Sequence, residues 1–176
     1  MRDHGDIAAF TEFADARADA LFRTAYLMVG DHQLAQDLLQ EAMVKTLMAW
    51  PRLHDRGNLE AYTRRVIVTT SISWRRRRSF HERPLEPLPE QPGPDPADAV
   101  VTHDAVVAAL RTVPPRQRAA IVLRYYQDLT EQQTADVMGC SVGAVKSQVS
   151  AGLRRLRQTL GPAFDRTTTV DHEVRS

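Results

Sequence analysis

The chain has 176 residues, 43% of them hydrophobic, and a net charge of +1, enough for one average domain or two small ones with modest cores. No apolar run approaches the roughly 18–20 residues of a membrane span, and the first ten residues lack the basic-then-apolar order of a secretion signal. A single cysteine, Cys140, rules out an internal disulfide, and six scattered histidines form no helical pair that would hold a metal. The expectation is a cytoplasmic chain without cofactor or metal.

The first element follows from Ile7, Phe10, Ala14, Leu21, Ala25 and Met28, which recur at helical spacing up to Gly30. Asp31 is placed to cap a second helix, with Leu34, Leu38, Leu39, Ala42, Leu47 and Trp50 as its apolar stripe and Pro51 as its stop. On its polar side Asp37, Gln40 and Glu41 share one patch at spacings i, i+3 and i+4. A solvated face accounts for that patch as well as a docking surface does.

A polar loop over 52–58 leads to a third helix, which turns Leu59, Tyr62, Val66, Ile67, Thr70 and Trp74 inward and runs into four arginines at 75–78. The same helix carries Arg64, Arg65, Thr69, Thr70, Ser73, Trp74, Arg75 and Arg76. Cations with hydroxyls and an aromatic suit the holding of separated nucleic-acid strands. Plainer readings stand beside that one: Trp74 as core, and the arginine run as a solvated helix end favoured by the helix dipole.

Residues 84–96 contain six prolines and a glycine, which forbid a helix and favour extended chain. Beyond this linker, 98–111 makes a short apolar helix through Val101, Ala105, Ala108 and Ala109. Pro115 suits a first helical position, and Ala119, Ile121, Val122, Leu123 and Tyr126 form the next buried face. Thr130 and Gln133 make a capping box, Gly139 ends that short helix, and Ser141 caps the last one. In it Val142, Val145, Val149, Leu153, Leu156 and Leu160 keep one face apolar.

Two short helices around a glycine turn, the second amphipathic and basic, describe a helix-turn-helix. Its last helix carries Lys146, Arg154, Arg155 and Arg157 and no acidic residue. In this motif Lys146, Ser147, Gln148 and Ser150 would face base edges, while Arg154, Arg155 and Arg157 grip phosphates. A helical bundle whose charged face merely meets water is the alternative. Charge is unevenly spread: residues 64–83 hold seven basic side chains and one acidic, and residues 116–176 hold nine and six. Two basic stretches, each beside acidic sequence, fit a protein that meets a polyanion at two places.

The run 129–147, LTEQQTADVMGCSVGAVKS, resembles region 4 of extracytoplasmic-function sigma factors of the sigma-70 family, and 113–126, VPPRQRAAIVLRYY, resembles the helix before it. The order of residues on the third helix is similar to regions 2.3 and 2.4, and 37–42, DLLQEA, to region 2.2. The likeness is closest to the actinobacterial SigE-like branch. It implies an initiation factor with no catalytic residue, which binds core RNA polymerase through Asp37, Gln40 and Glu41 on the β′ clamp helices, with the β subunit as a further contact. It also implies reading of a −35 promoter element by Lys146, Ser147, Gln148, Ser150, Arg154 and Arg155. A −10 element would be melted and read by Arg64, Arg65, Thr69, Thr70, Ser73, Trp74, Arg75 and Arg76, with a flipped base received by the loop 53–58 and the start of the helix after it. An anti-sigma factor is a candidate further partner. The chain departs from the family pattern at Thr134, where an aliphatic residue is usual, and at Gln148 and Ala151, where arginines are frequent. It departs also at Thr69, Ser71 and Arg75.

The expected architecture is all-α, with two small helical domains at 1–83 and 98–161. A Pro-rich linker over 84–97 joins them, and a tail over 162–176 is expected to be disordered. Rival readings are a response-regulator activator, which would need alternating strands and helices in residues 1–80; a helical-bundle enzyme, which would need convergent carboxylates or histidines; and a helical adaptor that does not bind DNA.

Overall fold

The computed structural model describes residues 4–53, 59–78, 102–162 and 164, with side-chain detail for all of these except residues 4, 5 and 75–78. The linker and the tail lie outside the described residues. Among those described, every regular element is helical.

Helix α1 (His4–Val29) ends where Gly30 takes a left-handed φ of +71° and donates its N–H to Tyr26 O at 2.7 Å. Asp31 then caps α2 (His32–Ala49), its carboxylate accepting from Leu34 N at 2.8 Å. Pro51 halts α2 as expected, in a 3₁₀ turn over Trp50–Arg52. That turn seats Trp50 edge-on to Phe10, 5.5 Å between ring centroids, while its indole N–H donates to Asp6 Oδ1. Helix α3 (Leu59–Arg78) closes a three-helix bundle with α1 and α2. Leu21, Ala25, Leu38, Ala42 and Ile67 fill its centre, and the hydroxyls of Thr46 and Thr63 meet there at 3.0 Å. Ile7, assigned to the apolar stripe, is half exposed; the stripe packs from Phe10 onward.

The second half opens with α4 (His103–Thr112), capped by the side chain of Thr102. Its expected start near 98 falls outside the described residues. Pro115 begins α5 (Pro115–Ile121), which widens into a π turn over Val122–Tyr126 with Gln127 N donating to Val122 O. This turn corrects one expectation. Tyr126, read as buried by ordinary helical spacing, is 45% exposed, and Tyr125 also faces outward. A π turn adds residues per turn, so the face predicted from 3.6-residue periodicity rotates away.

Helix α6 (Glu131–Met138) carries both arms of the capping box: Gln133 N donates to Thr130 Oγ1, and Thr130 N to Gln133 Oε1. Gly139 ends it at φ +62°, a conformation that strains any residue with a Cβ. Ser141 caps α7 (Val142–Leu160) through Ala144 N. Helix α7 crosses α5 closely because Gly152 is buried there; a Cβ would stand 2.5 Å from Ile121 Cδ1.

The two halves do not stand apart. One apolar cluster runs from Leu21, Met28, Leu38 and Ile67 into Leu110, Ala119, Ile121 and Leu156. Helix α1 packs on α4 and α5, and α3 packs on α5 and α6.

Candidate nucleic-acid interface

The turn between α6 and α7 sets the pose of the second helix. Ala135 and Val145 are both buried where these helices meet, and Val145, Gly152 and Leu156 mark the inward face of α7. Val142, Val149, Leu153 and Leu160 flank that face, half-buried. Of the residues assigned to base and phosphate contact, Lys146, Ser147, Ser150, Arg154 and Arg155 are exposed, and Gln148 is half-buried. They project from a single rigid helix, as groove reading requires.

Lys146 is not isolated. Its ammonium lies 3.5 Å from the carboxylate of Glu131, at the start of α6. Together with Arg124, Tyr125, Ser150 and Arg157 these two line an open groove of about 290 Å³ beside α7. Spacing on α7 could group Lys146, Ser150 and Arg157, but only the fold brings Arg124 and Tyr125 to them. Arg124 also donates through Nη1 to Leu129 O and so shapes the loop that leads into α6.

On α3 the assigned residues divide. Arg65 and Thr69 are exposed one turn apart, and Ser73 follows them half-buried. Arg64 is held by Glu60 at 2.9 Å, and Glu60 also pairs with Arg17 of α1. Thr70 is buried and accepts from Lys45 Nζ at 3.1 Å, so it is closed to DNA in this arrangement. Trp74 packs against the apolar core, and its indole donates to Glu41 Oε2 at 2.9 Å. Arg75 and Arg76 fall on the last part of α3, with side chains outside those described. The loop residues 54–58 also lie outside the described residues.

The patch on α2 is likewise altered. Asp37 and Gln40 are exposed, whereas Glu41 receives Lys45 at 2.6 Å as well as the Trp74 indole, tying α2 to α3. Val44 and Met48 continue the same face and are 52% and 65% exposed. The sequence pattern did not single them out, although their spacing from Asp37 and Gln40 on one helix face could have. A mixed polar and apolar face of this kind suits a protein partner. Among the described residues no helix is long and apolar enough to cross a membrane, and no cluster of side chains could hold a metal ion.

Comparison with known proteins covers both halves. Residues 13–81 match the family described as Sigma-70 region 2, and residues 103–156 match Sigma-70, region 4. The chain is 37% identical over 156 residues to an RNA polymerase sigma-E factor of Streptomyces coelicolor, covering 89% of this chain and 88% of that one. It is 28% identical to the ECF RNA polymerase sigma factor SigE of Mycolicibacterium smegmatis, over 90% of this chain and 64% of that one. A similar fold occurs in the sigma factor RpoE of Bartonella quintana, solved in complex with the anti-sigma factor NepR. That match has a TM-score of 0.69 and 23% identity, and covers 88% of this chain and 98% of that one.

Proposed function

Because the chain belongs to the sigma-70 family of RNA polymerase sigma factors, we propose that it reads the −35 promoter element through α7 and the −10 element through α3, with α2 as its seat on core polymerase. The observation that carries this reading is α7 itself: a capped helix behind a glycine turn, with Lys146, Ser147, Ser150, Arg154 and Arg155 exposed along it. Lys146 and Gln148 have the donors to bond guanine and adenine edges, and the arginines fix register on phosphates. Arg65 and Thr69 are the accessible residues of α3 for the downstream element, with Ser73, Arg75 and Arg76 continuing along it. Asp37 and Gln40, extended by Val44 and Met48, supply the face for polymerase.

On this reading residues 1–83 serve polymerase and the −10 element, 84–97 form the spacer, and 98–161 serve the −35 element. The protein works in the cytoplasm, where polymerase and promoter are. The complex of the Bartonella protein with NepR supports an anti-sigma factor as a further partner.

The test is run-off transcription from a genomic template library with purified core polymerase. Promoter-dependent products that appear only with this chain are expected, and their absence across the library sinks the reading. In the same system Lys146→Ala should reduce promoter-specific binding more than general DNA binding. Arg154→Ala should weaken all DNA binding alike and lower the salt slope by about 1.

A further inference from the structure

Lys146 is met by an acid on the face that carries the base-reading residues. Its ammonium lies 3.5 Å from Oε2 of Glu131, and both side chains remain open to solvent, 63% and 40% exposed. Both spring from fixed backbone. Glu131 is the first residue of α6, seated by the capping box of Thr130 and Gln133. Lys146 follows the Ser141 cap and adjoins the buried Val145. With Ser150 the two line the open groove beside α7, where Arg124 and Arg157 supply further positive charge.

Stability gives this acid little reason to be there. An exposed ion pair contributes almost nothing to the fold. The dipole of α6 does favour an acid in its first turn, but that effect is the same whatever sequence is bound. Against DNA the carboxylate repels phosphates and weakens binding to every duplex. Such a group is useful where rejection of a wrong partner matters more than affinity.

The edge of a base pair supplies that use. In the major groove a G·C pair presents guanine O6, an acceptor, beside the N4 amino group of cytosine, a donor. The two are hydrogen-bonded to each other and so stand about 2.9 Å apart. An ammonium and a carboxylate 3.5 Å apart match this edge in one orientation, with Lys146 over O6 and N7 and Glu131 over N4. In the inverted pair the ammonium meets the amino group and the carboxylate meets O6, so both contacts repel. A T·A pair with thymine under Lys146 keeps the signs but offers the ammonium O4 alone in place of O6 and N7.

We propose that Glu131 and Lys146 act as one unit that reads the orientation of a single G·C pair in the upstream promoter element, and that Glu131 is the specificity-determining residue that rejects the inverted pair. The proposal rests on the assignment of α7 to that element. It goes beyond it in naming an acid outside α7, and the base pair that the acid selects.

The test uses holoenzyme assembled from purified core polymerase and the full-length chain. It is equilibrated with duplexes randomised across the upstream element, and the bound fraction is sequenced. The wild-type chain should favour G·C over C·G by about ten-fold at one position, and Lys146→Ala should reduce the preference there. Glu131→Gln should reduce it by about three-fold or more, through greater occupancy of the inverted pair. The amide can turn its NH2 toward O6, whereas on the preferred pair its carbonyl still accepts from N4. Exchange of the two charges, Glu131→Lys with Lys146→Glu, should make C·G the favoured pair at the same position. An acid with a merely structural role would shift all sequences together. A uniform change in affinity in Glu131→Gln with every preference intact, or the wild-type orientation retained after charge exchange, overturns the proposal and leaves the −35 assignment standing. No base preference at any position in the wild-type holoenzyme removes that assignment, and the proposal with it.

Discussion

Thr134 offers a sharp test of the packing around α6. Its side chain is fully buried, and Oγ1 has no hydrogen-bond partner. The other threonines buried in helices have partners: Thr24 donates to Ala20 O, Thr46 to Ala42 O and Thr63 to Leu59 O, while Thr70 accepts from Lys45. A buried hydroxyl left without a partner costs about 1–3 kcal/mol. Valine has the same shape and no such group, so Thr134→Val should stabilise the protein by about 1–2 kcal/mol. At roughly 2–4 °C per kcal/mol for a chain of this size, Tm should rise by about 2–8 °C. Thermal melting followed by circular dichroism measures this, with DNA affinity expected to stay constant because the side chain is fully covered. An unchanged or lower Tm would refute the reasoning and mean that the hydroxyl finds a partner.

Other outcomes follow from the same geometry. Gly152→Val should cost about 1–3 kcal/mol by forcing α7 from α5, and Ile121→Val in the same chain should restore part of that loss by withdrawing the Cδ1 that lies 2.5 Å from the new Cβ; denaturant titration of the single and double variants checks both. Glu131→Gln releases Lys146 from its ion pair, so promoter affinity measured by fluorescence anisotropy should rise a few-fold at low salt and converge with wild type at high salt; an unchanged affinity at low salt would show that the pair does not restrain Lys146. Asp37→Arg should weaken core polymerase binding at least ten-fold while altering stability by less than about 0.5 kcal/mol, as expected for an exposed position; a pull-down with core enzyme and a melting curve separate the two.

Much of the fold was legible because it rests on local chemistry. Asp31, Thr130, Gln133 and Ser141 cap the helices they were expected to cap, and Gly139 takes the left-handed turn. Each of these depends on groups within a few residues, which a sequence displays directly. The exposed face of α7 was legible for the same reason, since a helix of fixed pitch converts spacing into direction. The π turn after Ile121 was not legible, and it moved Tyr126 from the expected core to the surface.

Contacts that depend on a distant partner became visible only in the tertiary structure. Glu41 had the spacing of a docking residue, yet Lys45 and Trp74 engage it. Thr70 had the composition of a strand-holding residue, yet burial and Lys45 occupy it. Arg118 was one arginine among 21, and only packing brought it to Met28 O at the end of α1. Sequence alone determined most of the helices, the caps at Asp31, Thr130 and Ser141, and the basic face of the last helix, because those follow from bonds and periodicities a few residues long. Whether the two halves stand apart or close on each other depends on shape complementarity between surfaces some ninety positions apart in the chain, and no local pattern encodes that match.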